Sequence, residues 1–304
     1  MDIRTIEKND KWGYMFYIKY DGTKFHSFDE IVGKRTVKGR FKELMNEIGF
    51  SWAKGIQQGG RTDAKVSATE NILYVSSKFD GNKKNLQERF NLLSDESLKI
   101  TMIKKTFPNL AFPELVGRRE YIYEYPKKRV KNSLEEIEKL CRDLSGRYDV
   151  SEFTDKKGLE LKEHIRAVDI SFKNGKLFFS GNSFMPKQVR IMSGYILTGR
   201  KEALEGKYLT LSKIVLSEEL KNNIFEKVED VKIAGVERIE SNRDRNLYIL
   251  YTSKEKKGEL IGKNGKNIKA LKKIYGNIVV KEICWQGLNR DLLLFLENIN
   301  QNGI

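Results

Sequence analysis

The sequence predicts an α+β chain: a sheet built in two similar rounds of strands and helices, followed by a smaller α/β module. Three observations predict it. Segments rich in aromatic and β-branched residues alternate with segments whose apolar residues recur at helical spacing, in the order β-α-β-α-β and then again. That order makes an open antiparallel sheet with helices on one face. Beyond about residue 240 the character changes to strand-helix-helix-strand, with Gly-x-x-Gly between the two helices. A chain of 304 residues has room for two or three such compact units.

The elements follow in order. Tyr14 to Tyr20 (YMFYIKY) reads as a strand closed by the turn Asp21-Gly22. Thr36 is placed to cap a helix whose apolar face is Val37, Phe41, Leu44, Met45 and Ile48. The glycine pair Gly59-Gly60 predicts a sharp turn, Asn71 to Ser77 a strand, Lys83 to Leu93 a helix and Leu98 to Phe107 a strand. The second round starts with the strand Glu120 to Tyr125. Ser133 and Glu136 form a capping box ahead of the stripe Leu134, Ile137, Leu140, Cys141 and Leu144, and Gly146 ends that helix. Arg166 to Phe172 and Lys176 to Ser180 read as a hairpin about Asn174-Gly175, and Pro186 to Thr198 as a helix. Residues 200 to 240, rich in lysine and glutamate, carry no readable pattern. Asn246 to Thr252 is a strand, Gly258 to Gly276 carries helices around the glycine loop, and Asn277 to Ile283 is the last strand.

Composition narrows the partners. The formal net charge is +15, with 33% charged and 11% aromatic residues. Such a basic excess fits a polyanion, because lysine and arginine release counterions from phosphates. Aromatics beside basic residues, as in YEYPKKR (Tyr123 to Arg129), suit unpaired bases, although most tyrosines in any protein are core. Two distant cysteines, Cys141 and Cys284, and two histidines, His26 and His164, provide neither a zinc site nor a disulfide framework. The expectation is therefore no metal site and a reducing compartment. The charged start MDIRTIEKND is no signal peptide, and no apolar run reaches membrane-spanning length, so the reading is a soluble cytoplasmic protein with no membrane partner.

Two motifs carry chemistry. In IGKNGKNIKAL the residues Gly262, Lys263, Asn264 and Gly265, with Lys266 behind them, form a Gly-x-x-Gly loop between helices, where backbone N–H groups and lysines can hold phosphates. This resembles the K homology (KH) domain, in the arrangement of bacterial transcription and ribosome-associated proteins, whose loop clamps about four nucleotides of single-stranded nucleic acid. The second motif is GRTDAKVSA, Gly60 to Ala68, which presents the carboxylate of Asp63 beside basic residues. Such a carboxylate stays charged and can act as a nucleophile.

With an RNA-binding module in the same chain, four stretches resemble the tRNA pseudouridine synthase A family in its order. They are YDGTKFHSF (Tyr20 to Phe28), GRTDAKVSA, RREYIYEY (Arg118 to Tyr125) and NSFMPKQVRIMSG (Asn182 to Gly194). The resemblance spans residues 14 to about 200. It implies two ferredoxin-like (RRM-like) halves sharing a central antiparallel sheet, an isomerase needing no cofactor, RNA and most readily tRNA as partner, and a homodimer with the anticodon stem-loop as default target. It also implies roles for three catalytic residues. Asp63 is the carboxylate that works at the ribose, by attack on C1′ or by removing a sugar proton, an alternative the sequence leaves open. Arg190 pairs with it. Tyr121 stacks on the target base and helps remove the C5 proton. Arg61 occupies the space of the extruded nucleotide, whose flipping costs a few kcal/mol. Where many relatives have glycine after RTDA this chain has Lys65, a candidate phosphate contact, and Val66-Ser67 replaces a Val-His pair. DEIVGKRTV, after Phe28, lacks the glutamines many relatives carry.

The expected organisation is 1–115 for the first half of the catalytic body, 116–205 for the second, 206–240 as a connection and 241–304 as the KH-like module. Two other readings fit the same residues: a catalytically silent RNA-binding or chaperone protein, and a pseudouridine synthase or assembly factor acting on ribosomal or other structured RNA.

Overall fold

A computed structural model describes residues 6–7, 10–155 and 163–283. Cys284 and the remainder of the expected module, 284–304, lie outside the described residues. The first half contains β1 (Trp12–Tyr20), α1 (Val37–Ile48), β2 (Ala53–Gln58), β3 (Ser67–Ser77), α2 (Lys83–Leu93) and β4 (Leu98–Thr106). The second contains β5 (Val116–Tyr123), α3 (Leu134–Asp143), β6 (Gly146–Asp149), β7 (Ile165–Lys173), β8 (Lys176–Gly181), α4 (Gln188–Thr198) and β9 (Leu209–Leu216). The chain then adds α5 (Glu218–Lys221), β10 (Ile224–Val228), β11 (Arg238–Asn242), β12 (Leu247–Thr252), α6 (Lys254–Ile261), α7 (Lys266–Tyr275) and β13 (Asn277–Glu282).

All strands join one sheet in the order β13-β12-β11-β10-β4-β1-β3-β9-β5-β8-β7-β6, with β2 also on β3. Each half is a ferredoxin-like unit. In the first, β4-β1-β3-β2 lie side by side, and in the second β9-β5-β8-β7 repeat that arrangement. The sheet is antiparallel within each half and mixed as a whole. The halves meet where β3 and β9 run parallel, pairing Ser67 with Thr210 and Ala68 with Leu211. β9 comes from the stretch that carried no readable pattern.

Local chemistry explains most boundaries. Thr36 accepts the Gly39 N–H and Gly49 closes α1 with φ 83°. The Asn82 side chain accepts from the N–H groups of Lys84 and Asn85 at the start of α2. Ser133 accepts the Glu136 N–H, but Leu134, expected in the apolar stripe of α3, sits on the first turn and points to solvent. Asn174 and Gly175 take φ of 51° and 77°, the requirement of a two-residue hairpin. The helix expected from Pro186 starts at Gln188, because Lys187 takes φ 59° as its cap. Phe16 of β1, Phe41 of α1 and Phe90 of α2 pack edge-on and tilted through the first half at 5.3 and 5.6 Å between successive ring centroids. Burying each such ring contributes roughly 2–3 kcal/mol. Tyr123, offered above as a base-stacking residue, is instead fully buried, and its hydroxyl donates to the Glu205 carbonyl at 3.0 Å.

Candidate active site

The GRTDA residues form the loop of the β2–β3 hairpin and lie over the seam between the halves. The chain bends at Gly59, in line with the expected turn, but neither Gly59 nor Gly60 uses a positive φ to do so. Their smallness serves packing. A Cβ on Gly59 would lie 3.1 Å from Ile214, and one on Gly60 3.3 Å from Leu211, both on β9. The loop therefore rests directly on the strand that brings in the second half. The left-handed residue is Lys65, with φ 64°, inside the turn closed by the Val66 N–H on the Asp63 carbonyl. A non-glycine residue there costs roughly 1 kcal/mol. Lys65→Gly is accordingly expected to raise stability by about 0.5–1 kcal/mol in urea denaturation; a loss would mean that the lysine side chain holds the loop.

Two further glycines admit the loop. A Cβ on Gly22, in the YDGT stretch, would lie 2.0 Å from the Val66 carbonyl oxygen, and one on Gly206 2.4 Å from that of Ala64. Neither substitution is possible without moving backbone. Beneath the loop, Asn71 is fully buried. It accepts from the Gly60 N–H at 3.2 Å and donates to the Gly60 carbonyl at 2.8 Å and to the Tyr20 hydroxyl at 3.2 Å. Tyr20 in turn shares a 2.9 Å hydrogen bond with Thr62. Asn71 was not singled out from sequence. An asparagine directly ahead of the apolar run Ile72 to Val75 was the available signal, because strands disfavour it and burial demands partners.

The loop holds Asp63 half-buried. Its Oδ2 lies 3.2 Å from Nη1 of Arg190, on the first turn of α4. The Arg190 Nε donates to the Leu204 carbonyl at 2.6 Å, which fixes the guanidinium. The chain reaches Leu204 by passing close to α4 at Gly194, where a Cβ would lie 2.1 Å from the Glu202 carbonyl oxygen. Thus the final glycine of VRIMSG positions the arginine's second partner. Tyr121 of β5 lies across the seam, with its ring edge-on to Phe184 at 5.3 Å. Burial pushes the Tyr121 hydroxyl well above the usual tyrosine range. Tyr20 and Asp63 push it further, and Arg119 opposes them.

These residues line one cleft of about 470 Å³, together with Gln58, Val66, Arg119, Met185 and Leu209. Asp63, Tyr121 and Arg190 come from distant parts of the chain and face the same space. Arg119 is a further residue that sequence reading passed over. Its guanidinium donates to the carbonyls of Gly59 at 2.9 Å, Pro113 at 3.3 Å and Asn182, strapping both sides of the cleft. Burial pulls this arginine below its ordinary range. Gln188, fully buried, accepts the Met185 N–H at 2.8 Å and so holds the segment carrying Phe184.

The remaining candidates sit at the rim or far away. Arg61 is 73% exposed, with Asp29 3.8 Å from it. Lys65 points to solvent. Gly262, Lys263, Asn264, Gly265 and Lys266 lie together on the other module, between α6 and α7. Gly262, Asn264 and Gly265 all have positive φ, so the loop turns sharply and leaves Lys263, Asn264 and Lys266 exposed.

A KH domain family model matches residues 219–283, starting before the expected boundary at 241. A tRNA pseudouridine synthase A of Oceanobacillus iheyensis is 23% identical over 202 residues, 59% of this chain and 79% of that protein. That of Borrelia duttonii is 28% identical over 199 residues, 59% of this chain and 80% of that protein. That of Streptococcus equi is 26% identical over 208 residues, 60% of this chain and 82% of that protein. Among solved structures, an archaeal box H/ACA sRNP Nop10-Cbf5 complex aligns at 12% identity and a TM-score of 0.33, covering 67% of this chain and 49% of that one, a likeness too distant to argue from.

Proposed function

We propose that this chain, similar to the tRNA pseudouridine synthase A proteins over about 60% of its length and carrying a KH domain, isomerises uridine to pseudouridine in RNA. The observation that carries this reading is the meeting of Asp63, Arg190 and Tyr121 in one cleft at the seam of two ferredoxin-like halves. The reaction breaks the C1′–N1 bond, turns the base, forms a C1′–C5 bond, and moves a proton from C5 to N1. Atoms balance without an added reactant.

In this reading Asp63 either attacks C1′ or takes a sugar proton. Both need a carboxylate held rigidly at the ribose, which the Arg190 contact and the Asn71–Gly60 clamp favour. Tyr121 stacks beneath the base. Its raised pKa keeps it a neutral phenol near pH 7. A neutral phenol accepts the C5 proton only while passing on its own, so any part in that step runs as a relay. Arg61, exposed at the rim, fills the gap in the RNA when the uridine swings out. Lys65 meets a phosphate nearby.

The Gly262–Gly265 loop and Lys266 grip single-stranded RNA. Replacing Lys263 and Asn264 together with aspartate is expected to weaken RNA binding and to lower the slope of log affinity against log salt by about 1. Unchanged affinity and slope in filter binding would remove this loop from the interface. The finer parts of the reading are a uridine in the anticodon stem-loop of tRNA, a homodimer that cradles it, and a cytoplasmic setting. No helix among the described residues is long and apolar enough to cross a membrane. The test is to incubate the purified chain with tRNA and rRNA transcripts and map pseudouridine. A tRNA site supports the full reading, a site confined to rRNA replaces the substrate, and none in any transcript overturns the function.

A further inference from the structure

We infer that the KH module and the catalytic cleft form one rigid RNA-reading surface, selecting an RNA that carries a single-stranded element at a fixed distance from its target uridine. This rests on the proposed synthase reading.

The module is built into the catalytic sheet. β10 pairs with β4, placing Ile224 against Thr106 and Phe225 against Lys105. The strands that follow have two buried faces. Ile239, Leu250, Leu260 and Ile278 form the module's own small core under α6 and α7. Leu247, Ile249 and Tyr251 of β12 and Val279 of β13 belong to the main core of the catalytic body. The Phe225 ring sits 5.4 Å from Trp12 and 4.8 Å from Phe107, both in the first half.

A buried charge cluster pins the junction. Lys105 of β4 is 1% exposed. It donates to Glu240 at 2.8 Å, to Tyr251 at 2.5 Å and to Asp80 at 3.3 Å, and its Nζ lies 4.0 Å from the Trp12 ring centroid. Arg238 of β11 crosses the other way, to Asp80 at 2.6 Å. Lys105 and Asp80 come from the body, and Glu240, Tyr251 and Arg238 from the module. A buried ion pair imposes geometry, because any shift leaves a charge without its partner.

The exposed Gly262–Gly265 loop is thereby set at one place relative to Asp63. From β3 to β12 is five strand steps in the sheet order, about 24 Å measured across the strands. Two sites on a rigid body reinforce each other only when the ligand spans them correctly, whereas a flexible tether gives a slow decline with span.

The experiment uses the full chain and RNAs in which a target stem-loop is joined, through duplex spacers of increasing length, to a single-stranded tetranucleotide. Affinity and pseudouridine yield are read for each. One spacer length should bind at least about 10-fold more tightly than the RNA lacking the tetranucleotide, with the gain lost on changing the duplex by half a turn. The Lys263→Asp, Asn264→Asp double variant should flatten that profile. An affinity that is flat, or falls smoothly with spacer length, overturns the inference even where pseudouridine forms. A sharp affinity peak without pseudouridine keeps the rigid surface and removes the synthase reading.

Discussion

Glu240→Gln is expected to destabilise the folded chain by about 3–5 kcal/mol at pH 7. The carboxylate is 3% exposed and faces three cations: Lys105 at 2.8 Å, Arg238 at 3.7 Å and Lys83 at 3.9 Å. The amide is close to isosteric, so the loss is charge rather than volume. It leaves Asp80 alone to balance a buried ammonium and guanidinium. The pH dependence follows from the same contacts. Burial pushes the Glu240 carboxyl up, but Lys105, Arg238 and Lys83 outweigh it and hold the group at about 2, against an ordinary 4.5. A depressed acid contributes stability that is complete above its unfolded pKa and is lost as pH falls through its folded one. The gap between wild type and variant should therefore be full above pH 4.5 and close toward pH 2. Asp80 runs the opposite way, because burial raises it despite Lys105 and Arg238, so its protonation does not add to that loss. Urea denaturation at pH 7, 4.5 and 3 checks both points. A variant within about 0.5 kcal/mol of wild type at pH 7 would show that the cluster does not hold the module in place.

This junction was invisible in the sequence. Lys105 lies in IKKT, where a lysine reads as solvent-facing, and its partners at 240 and 251 are more than a hundred residues away. β9 escaped for a related reason. LTLSKIVL lies in a stretch whose lysines and glutamates made it hard to place, and its position is set by β3 and β5, which flank it from other parts of the chain. β2 was missed because AKGIQQ contains a glycine and a single β-branched residue, a poor strand signal. What could be read was local: the Thr36 and Ser133 caps, the Asn174-Gly175 turn, and the Gly262–Gly265 loop. Much of the cleft was readable too, through four short stretches, and the glycines in three of them have now acquired reasons. Gly22 and Gly194 are close-approach positions, and only the structure reveals what approaches them. At Gly59 the bend was readable, but the close packing of Gly59 and Gly60 on β9 was not. Arg119 went unseen because its partners are backbone carbonyls, which leave no sequence signature.

Asp63→Asn is expected to lower pseudouridine formation by at least about 10⁴-fold while leaving RNA affinity within about twofold. Asparagine keeps the size of the side chain and an oxygen for the Arg190 hydrogen bond, so the loop and cleft should persist. It cannot attack C1′ or accept a sugar proton. The comparison also separates an enzyme from a silent RNA-binding protein, in which the substitution would change nothing measurable.

The most direct measurement follows the hydrogen that the reaction must release. With enzyme in excess over RNA tritiated at uridine C5, a single turnover of the wild type should liberate the label as C5 joins C1′. Asp63→Asn should bind the same RNA and release none above background. Release by the variant at a rate within about tenfold of wild type would contradict the assignment of Asp63 as the group that acts at the ribose.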